Sequence, residues 1–249
     1  MLFRPPAEAT WVRGVAQPGR ALRSGRRGRW FKSSHPDHSK SNANPNLSGA
    51  FSIIILLLIG AYLFGSTPVG VIVGKLRGFD PRTVGSHNVG MTNVARAGGK
   101  SAAATTFLGD LLQGLLPVAF AHWMIGPIQS SLALVGFATF LGSIASVFLA
   151  FRGGRGVATS LGVWLILAPA PILIASAIFA AILAISRVMS LASLGAAMAL
   201  PAATAITRSP SPYVLLAIAM SALIVLRHWE NIGRLLRGEE PRLGEPQSA

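Results

Sequence analysis

The sequence predicts an all-α, polytopic integral membrane helix bundle of about seven transmembrane helices, N-terminus outside and C-terminus inside. Three observations predict it. Hydrophobic residues make up 51% of the 249 residues and charged residues only 12%, which excludes an ordinary soluble domain. The apolar residues gather into runs that approach or reach the length of a hydrocarbon core. The cations in the connections between those runs fall almost entirely on one side.

The first expected span runs from Phe51 to Gly74, with Pro68 as a kink near its end and Gly70 and Gly74 forming a small-residue face for helix packing. Further spans are expected over Ala102–Met124, Ser131–Phe151, Val157–Ala168, Pro171–Ile185, Met189–Ile206 and Tyr213–Leu226. The fourth and fifth are short, and the Ala168-Pro169-Ala170-Pro171 turn is also consistent with one re-entrant unit. With seven spans and the first N-terminus outside, twelve Lys/Arg between Lys75 and Arg242 lie on the inner side, against Arg208 alone on the outer. Cations in short loops are retained in the cytoplasm, so this asymmetry sets the orientation.

The formal charge of +14 suggests nucleic-acid binding until it is divided. Residues 1–46 hold nine Lys/Arg against Glu8 and Asp37, and the remaining 203 residues hold thirteen against six acids, so each part carries +7. Residues 1–46 are read as a basic disordered segment, 47–243 as the membrane domain and 244–249 as a short tail. A +7 arm on the outer side conflicts with the charge rule, and Trp30-Phe31-Lys32-Ser33 can be encoded by the T-arm sequence of a transfer RNA gene. Both point to translated upstream DNA, with the start expected near Leu47. No nucleic-acid partner is expected.

Four polar segments fall on the expected cytoplasmic side. The richest is Gly85-Ser86-His87-Asn88-Val89-Gly90-Met91-Thr92-Asn93-Val94-Ala95-Arg96. Gly85 and Gly90 let backbone N–H groups turn inward, Ser86, Asn88, Thr92 and Asn93 offer side-chain donors, and Arg96 adds a fork suited to an oxyanion. The alternative is a turn-rich connection whose Asn and Ser cap neighbouring helices. Gly98-Gly99-Lys100-Ser101 is not a nucleotide P-loop, since that motif needs glycine where Val94 stands.

Gly153-Gly154-Arg155-Gly156 leads into a helix through Val157, Ala158 and Thr159, a favourable place for a second anionic group or a plain cationic anchor. The turn from Ser186 to Ser190 is the third segment. In the fourth, Arg227-His228-Trp229-Glu230-Asn231, His228 is a candidate acid or base with Glu230 as partner and Asn231 as fixed dipole, the alternative being a capped interfacial helix. Asp110, the one acid within a span, is expected to form a polar lock with Gln113 one turn on, with a proton site as the lesser reading. With zero cysteines and no cluster of carboxylates or histidines, no metal or other cofactor is expected.

Taken together, Gly65-Ser66-Thr67-Pro68, the stretch from Gly85 to Arg96, Gly153 to Thr159 and Arg227-His228-Trp229-Glu230-Asn231-Ile232 resemble the bacterial acyl-phosphate:glycerol-3-phosphate acyltransferases, in order from about residue 51 to 243. The resemblance implies a multi-pass protein of the bacterial cytoplasmic (inner) membrane with its active site on the cytoplasmic face. The implied reaction moves a fatty acyl group from acyl phosphate to the 1-hydroxyl of glycerol 3-phosphate, giving 1-acylglycerol 3-phosphate and phosphate in the first acylation of phospholipid synthesis. Membrane lipid and the peripheral enzyme that makes acyl phosphate are the implied partners. Carried over by match, Ser86, Thr92, Asn93 and Arg96 cradle phosphate together with Gly85, Asn88 and Gly90. Arg155, where the family usually has lysine, holds glycerol 3-phosphate with Gly153, Gly154, Gly156 and Thr159, while His228, Glu230 and Asn231 orient the attacking hydroxyl.

The chain departs from the family at His87 and Met91, where Gly and Ala are usual, at Ser143, where histidine is usual, and at Gln113, where lysine is usual. Rival readings are a divergent member with weakened or lost activity, and a polytopic small-anion transporter. The transporter lacks support from repeated halves or a midplane polar cluster. A His-x-x-x-x-Asp acyltransferase is excluded, because Thr92, Pro127 and Gly233 stand five residues beyond His87, His122 and His228.

Overall fold

The structure is a computed structural model and describes residues 45–243. The tail at 244–249 and all of the basic N-terminal segment except Pro45 and Asn46, which open the first helix, lie outside the described residues. Among the described residues there are nine α-helices, one 3-10 turn at Val147–Leu149 and no strand. They are α1 (Pro45–Gly65), α2 (Val69–Leu76), α3 (Met91–Ile125), α4 (Gln129–Ile144), α5 (Val157–Leu167), α6 (Pro169–Ser186), α7 (Met189–Ile206), α8 (Ser211–Arg227) and α9 (Trp229–Leu236).

Each of the seven expected spans falls on helix, but they do not all cross alone. Five segments are long and apolar enough to cross a membrane: Phe51–Leu76, Met91–Ile125, Gln129–Leu149, Pro169–Ser186 and Met189–Ile206. A sixth results if α8 and α9, bent by 60°, count together. The span at 157–168, expected to be short, is the 11 residues of α5. At 1.5 Å per residue it measures about 16 Å, roughly half a hydrocarbon core.

Burial follows the pattern of a bundle whose solvent is lipid. Trp164 and Phe140 are fully buried, packed with Val118, Val135 and Met220 between α3, α4, α5 and α8. Phe51, Leu56, Leu173 and Leu215 point outward at 62–68% exposure, an arrangement that water would penalise and acyl chains favour.

Two breaks position the site. The first separates α1 from α2, because Pro68 has no N–H to continue the ladder and restricts the residue before it. The break frees carbonyls at the end of α1, and Gln113 Nε2 donates to the carbonyls of Phe64 (3.1 Å) and Thr67 (2.5 Å). Gln113 therefore caps α1 rather than forming the expected lock with Asp110. Each carbonyl also accepts a backbone N–H, from Thr67 and Val69 respectively, so Gln113→Leu removes the second donor from each and is expected to destabilise the fold by about 1 kcal/mol, read as a lowered Tm in detergent. An unchanged Tm would show that water satisfies those carbonyls.

The second break is Gly99 within α3, at φ 77 and ψ −178. That region is open essentially to glycine alone. It divides α3 into a short arm, Met91–Gly98, which carries Arg96, and a long rod that continues to Ile125.

Candidate functional site

A cavity of about 890 Å³ opens where the polar segments meet. Its walls come from the 85–96 and 153–159 stretches, the α1–α2 break, the start of α7, the α8–α9 bend and residues 240–243. Four arginines line it, Arg96, Arg155, Arg234 and Arg242, against the two acids Asp110 and Glu240.

The first loop is built around Asn93, which is only 1% exposed. Its Nδ2 donates to the carbonyls of Pro81 (2.7 Å) and Val84 (2.9 Å), while its Oδ1 accepts from the Ser86 N–H (2.9 Å). Both amide hydrogens are thereby committed to the loop, so Asn93 shapes the cradle and has no donor left for phosphate. Asn88 Oδ1 accepts from the Gly90 N–H (2.9 Å), a turn that delivers the chain into α3. No side chain caps the N-terminus of α3 at Gly90, and while the Asn93 N–H turns back to the Gly90 carbonyl (3.1 Å), the Met91 and Thr92 N–H groups are left open beside Ser86 and Arg96.

His87 stands on the outside of this loop, exposed, at φ 54, with Nδ1 donating to the Arg82 carbonyl (2.8 Å). This left-handed backbone explains why glycine is the usual residue there, and why a side chain at this position leaves the cavity untouched. Met91, by contrast, lines the cavity.

The second loop is clamped from both sides. Gly153 and Gly154 donate their N–H groups to the carbonyls of Ile144 (3.2 Å) and Ser143 (2.9 Å) at the end of α4. From the other side Arg227 donates Nη2 to the Gly153 carbonyl (2.7 Å) and Nε to the Gly154 carbonyl (3.2 Å). Gly156 then turns the chain at φ 77, and a Cβ there would enter the space of Phe140 and Ile144. Thr159 lies buried in the first turn of α5, whose N-terminus also lacks a side-chain cap. Arg155 projects between these parts, with its Nε buried and without a hydrogen-bond partner. Burial lowers its pKa to about 10, which leaves it charged at neutral pH.

The α8–α9 bend supplies acceptors. His228 is 2% exposed and its Nδ1 donates to the Ile224 carbonyl (2.8 Å), which leaves Nε2 as a lone-pair acceptor. Burial brings its pKa from 6.5 down to about 4, helped by the Arg155 and Arg227 charges against the Ile224 bond and Glu240, so the ring is neutral near pH 7. Asn231, 2% exposed, donates Nδ2 to Glu240 Oε1 (2.5 Å), and its Oδ1 is buried without a partner. A folded-state pKa held below the unfolded one contributes stability above the unfolded value. His228 is therefore expected to cost the fold about 3 kcal/mol as pH falls from 6.5 to about 4. His228→Gln should flatten that part of a Tm–pH curve, and an equally steep curve would assign the loss to other groups.

Every expected site residue but one lines the cavity. The exception is Glu230, which is exposed in the first turn of α9 and does not face the cavity. The carboxylate that does is Glu240, bonded to Asn231 and paired with Arg234 Nε at 2.7 Å. Sequence reasoning gave no site role to Arg227, Ser66, Ser190 or Glu240; the first three stood in segments it had singled out, and only Glu240 had no signal. Ser143 lines the cavity but donates its Oγ to the Phe140 carbonyl (2.8 Å).

The cavity thus brings together a donor-rich cationic lining, with two helix N-termini that lack side-chain caps, and the acceptors His228 Nε2 and Asn231 Oδ1. Phe107, Leu149, Val157 and Phe179 add apolar lining. Such a space suits a molecule with phosphate, hydroxyls and a long apolar chain.

The family profile described as glycerol-3-phosphate acyltransferase matches residues 55–238. A glycerol-3-phosphate acyltransferase of Trichlorobacter lovleyi is 45% identical over 186 residues, covering 74% of this chain and 95% of the relative. Another, of Geobacter metallireducens, is 48% identical over 190 residues, covering 76% and 97%. Among solved structures, PlsY, an integral membrane glycerol 3-phosphate acyltransferase, matches in its glycerol 3-phosphate form with TM-score 0.74 and 40% identity, over 77% of this chain and 96% of that one. Its lysophosphatidic acid form matches with TM-score 0.73 and 39% identity over the same shares. With a matched fold, matched length and this cavity, the chain belongs to the glycerol-3-phosphate acyltransferase family.

Proposed function

We propose that the protein transfers a fatty acyl group from acyl phosphate to the 1-hydroxyl of sn-glycerol 3-phosphate, at the cytoplasmic face of a bacterial inner membrane. The observation that carries this reading is that one cavity holds both the Arg96/Arg155 donors and the His228/Asn231 acceptors. Phosphate binds at the first, against the N–H groups of α3 and α5. The glycerol hydroxyl donates toward His228 Nε2 or Asn231 Oδ1 at the second, which fixes the direction of attack.

The hydroxyl oxygen forms the new ester bond to the acyl carbon, and the bond from that carbon to the phosphate oxygen breaks. The hydroxyl proton passes to the departing phosphate, so lysophosphatidate and inorganic phosphate are the products. Acyl phosphate is already activated, and a neutral, low-pKa His228 orients the hydroxyl without needing to take its proton. Arg155 and the helix ends stabilise the charge that grows on the leaving phosphate.

Counted over seven crossings, with α5 among them, the twelve-to-one distribution of cations supports an orientation with the cavity mouth facing the cytoplasm. The peripheral enzyme that makes acyl phosphate is the corresponding partner. The test is purified protein supplied with labelled glycerol 3-phosphate and either acyl phosphate or acyl-CoA. Lysophosphatidate formed only from acyl phosphate is the expected result. Product from acyl-CoA alone would reassign the donor, and no product from either would mark a divergent, inactive member.

A further inference from the structure

The segment that follows α9 is a structural part of the cavity wall. Gly238, at φ 70, ends the helix, and the Glu239 N–H returns to the Arg234 carbonyl at 2.8 Å. The chain then crosses the cavity, with Glu240, Pro241, Arg242 and Leu243 all lining it. Its near end is held by Glu240, through Asn231 and Arg234. Its far end meets a single residue of the α6–α7 turn. Arg187 accepts the Leu243 N–H on its own carbonyl (2.7 Å) and donates Nη2 to the Leu243 carbonyl (2.9 Å).

We propose that Arg187 is a positioning residue that latches the strap Glu239–Leu243 across the cavity and thereby fixes Glu240 against Asn231 and Arg234. The backbone of Arg187 is built for this contact. It is left-handed, at φ 58, immediately after α6, so its carbonyl leaves the helical direction and faces the strap. Two reciprocal bonds to one residue set register as well as distance. The same turn leads directly into α7, whose Met189, Ser190 and Ser193 line the cavity. An inner-side anchor needs only positive charge, whereas this geometry uses the carbonyl and the guanidinium together. The family profile ends at residue 238, so the strap lies beyond the matched region.

Catalytically, the proposal rests on the acyltransferase reading. Arg187 touches no substrate, so its loss should loosen the strap and lower the fraction of protein with Asn231 in place. Arg187→Ala is expected to raise KM for glycerol 3-phosphate by about fivefold with kcat changed by less than about twofold, and Arg187→Lys, which keeps one donor, to fall between. An unchanged KM, or a fall in kcat alone, would overturn the proposal.

A second measurement does not depend on turnover. The chain has no cysteine, so full-length Leu243→Cys can be labelled with a maleimide in detergent. Adding Arg187→Ala or Arg187→Lys should speed labelling several-fold, the lysine less. Equal rates would show that Arg187 does not hold the strap, even if the wild-type protein makes no lysophosphatidate.

Discussion

Arg155→Ala is expected to lower kcat/KM for glycerol 3-phosphate by about 1000-fold while the protein stays folded. The guanidinium is more enclosed than that of Arg96. Burial moves its pKa to about 10, and its Nε is buried without a hydrogen-bond partner. Each charge-assisted bond to phosphate contributes about 1.5–3 kcal/mol, and two such bonds in a partly dehydrated site account for about three orders of magnitude.

Arg96 has the same chemistry but sits exposed on the short arm of α3, where water screens it. Arg96→Ala should also cripple turnover, though by about tenfold less than Arg155→Ala. Arg155→Lys keeps the charge and loses the planar fork, so it should retain activity within about tenfold of wild type. Steady-state kinetics on variants with wild-type gel-filtration profiles decide this. A loss below tenfold for Arg155→Ala would remove that residue from the phosphate site.

The contrast between legible and hidden features has a physical origin. The loops around Ser86 and Arg155 were visible because Gly, Asn, Ser and Arg cannot sit in lipid, so their position between apolar runs marks them as built for something. Adjacency in sequence also revealed Gly156 and Thr159, since a glycine turn running into a helix is a local event.

What sequence could not supply was partnership over distance. Gln113 is one turn from Asp110 and was expected to bond it, yet the nearer need lay in the carbonyls of Phe64 and Thr67, freed by Pro68. Asn93 looked like a phosphate donor because its residue type is right, and only the fold shows its amide consumed by Pro81 and Val84. The span at Val157 was legible as a short one, but the contacts that fix the loop before it, from Arg227 and the end of α4 to Gly153 and Gly154, were not. Nor does composition distinguish Glu230 from Glu240, since the choice depends on where the chain turns after α9.

That choice leads to the second large effect. Glu240→Ala should destabilise the protein by about 3 kcal/mol and lower kcat by about tenfold, whereas Glu230→Ala should leave stability within about 0.5 kcal/mol of wild type. The Glu240 side chain is 8% exposed, and its removal leaves Arg234, itself 28% exposed, without its anion. Breaking a fully buried pair costs about 3–5 kcal/mol, and the partial hydration of Arg234 places this pair at the lower end.

Burial pushes the Glu240 pKa up, but the bonds from Asn231 and Arg234 outweigh it and hold the carboxyl below its ordinary value. It is therefore ionised at neutral pH, and the stability it contributes is lost only as pH falls into the acid range through that lowered value. Removing the anion also makes the cavity more cationic, which by itself would tighten phosphate binding. The opposing effect is stronger, because Asn231 then loses the acceptor that fixes its amide and with it the direction of Oδ1. The signature is a lowered kcat with KM for glycerol 3-phosphate little raised, because the amide stays unfixed with substrate bound, whereas in Arg187→Ala bound substrate restores the strap and only KM rises. Glu240→Gln keeps an acceptor for Asn231 but not the charge for Arg234. It should recover more activity than stability, and the reverse outcome would place the importance of Glu240 in the ion pair alone.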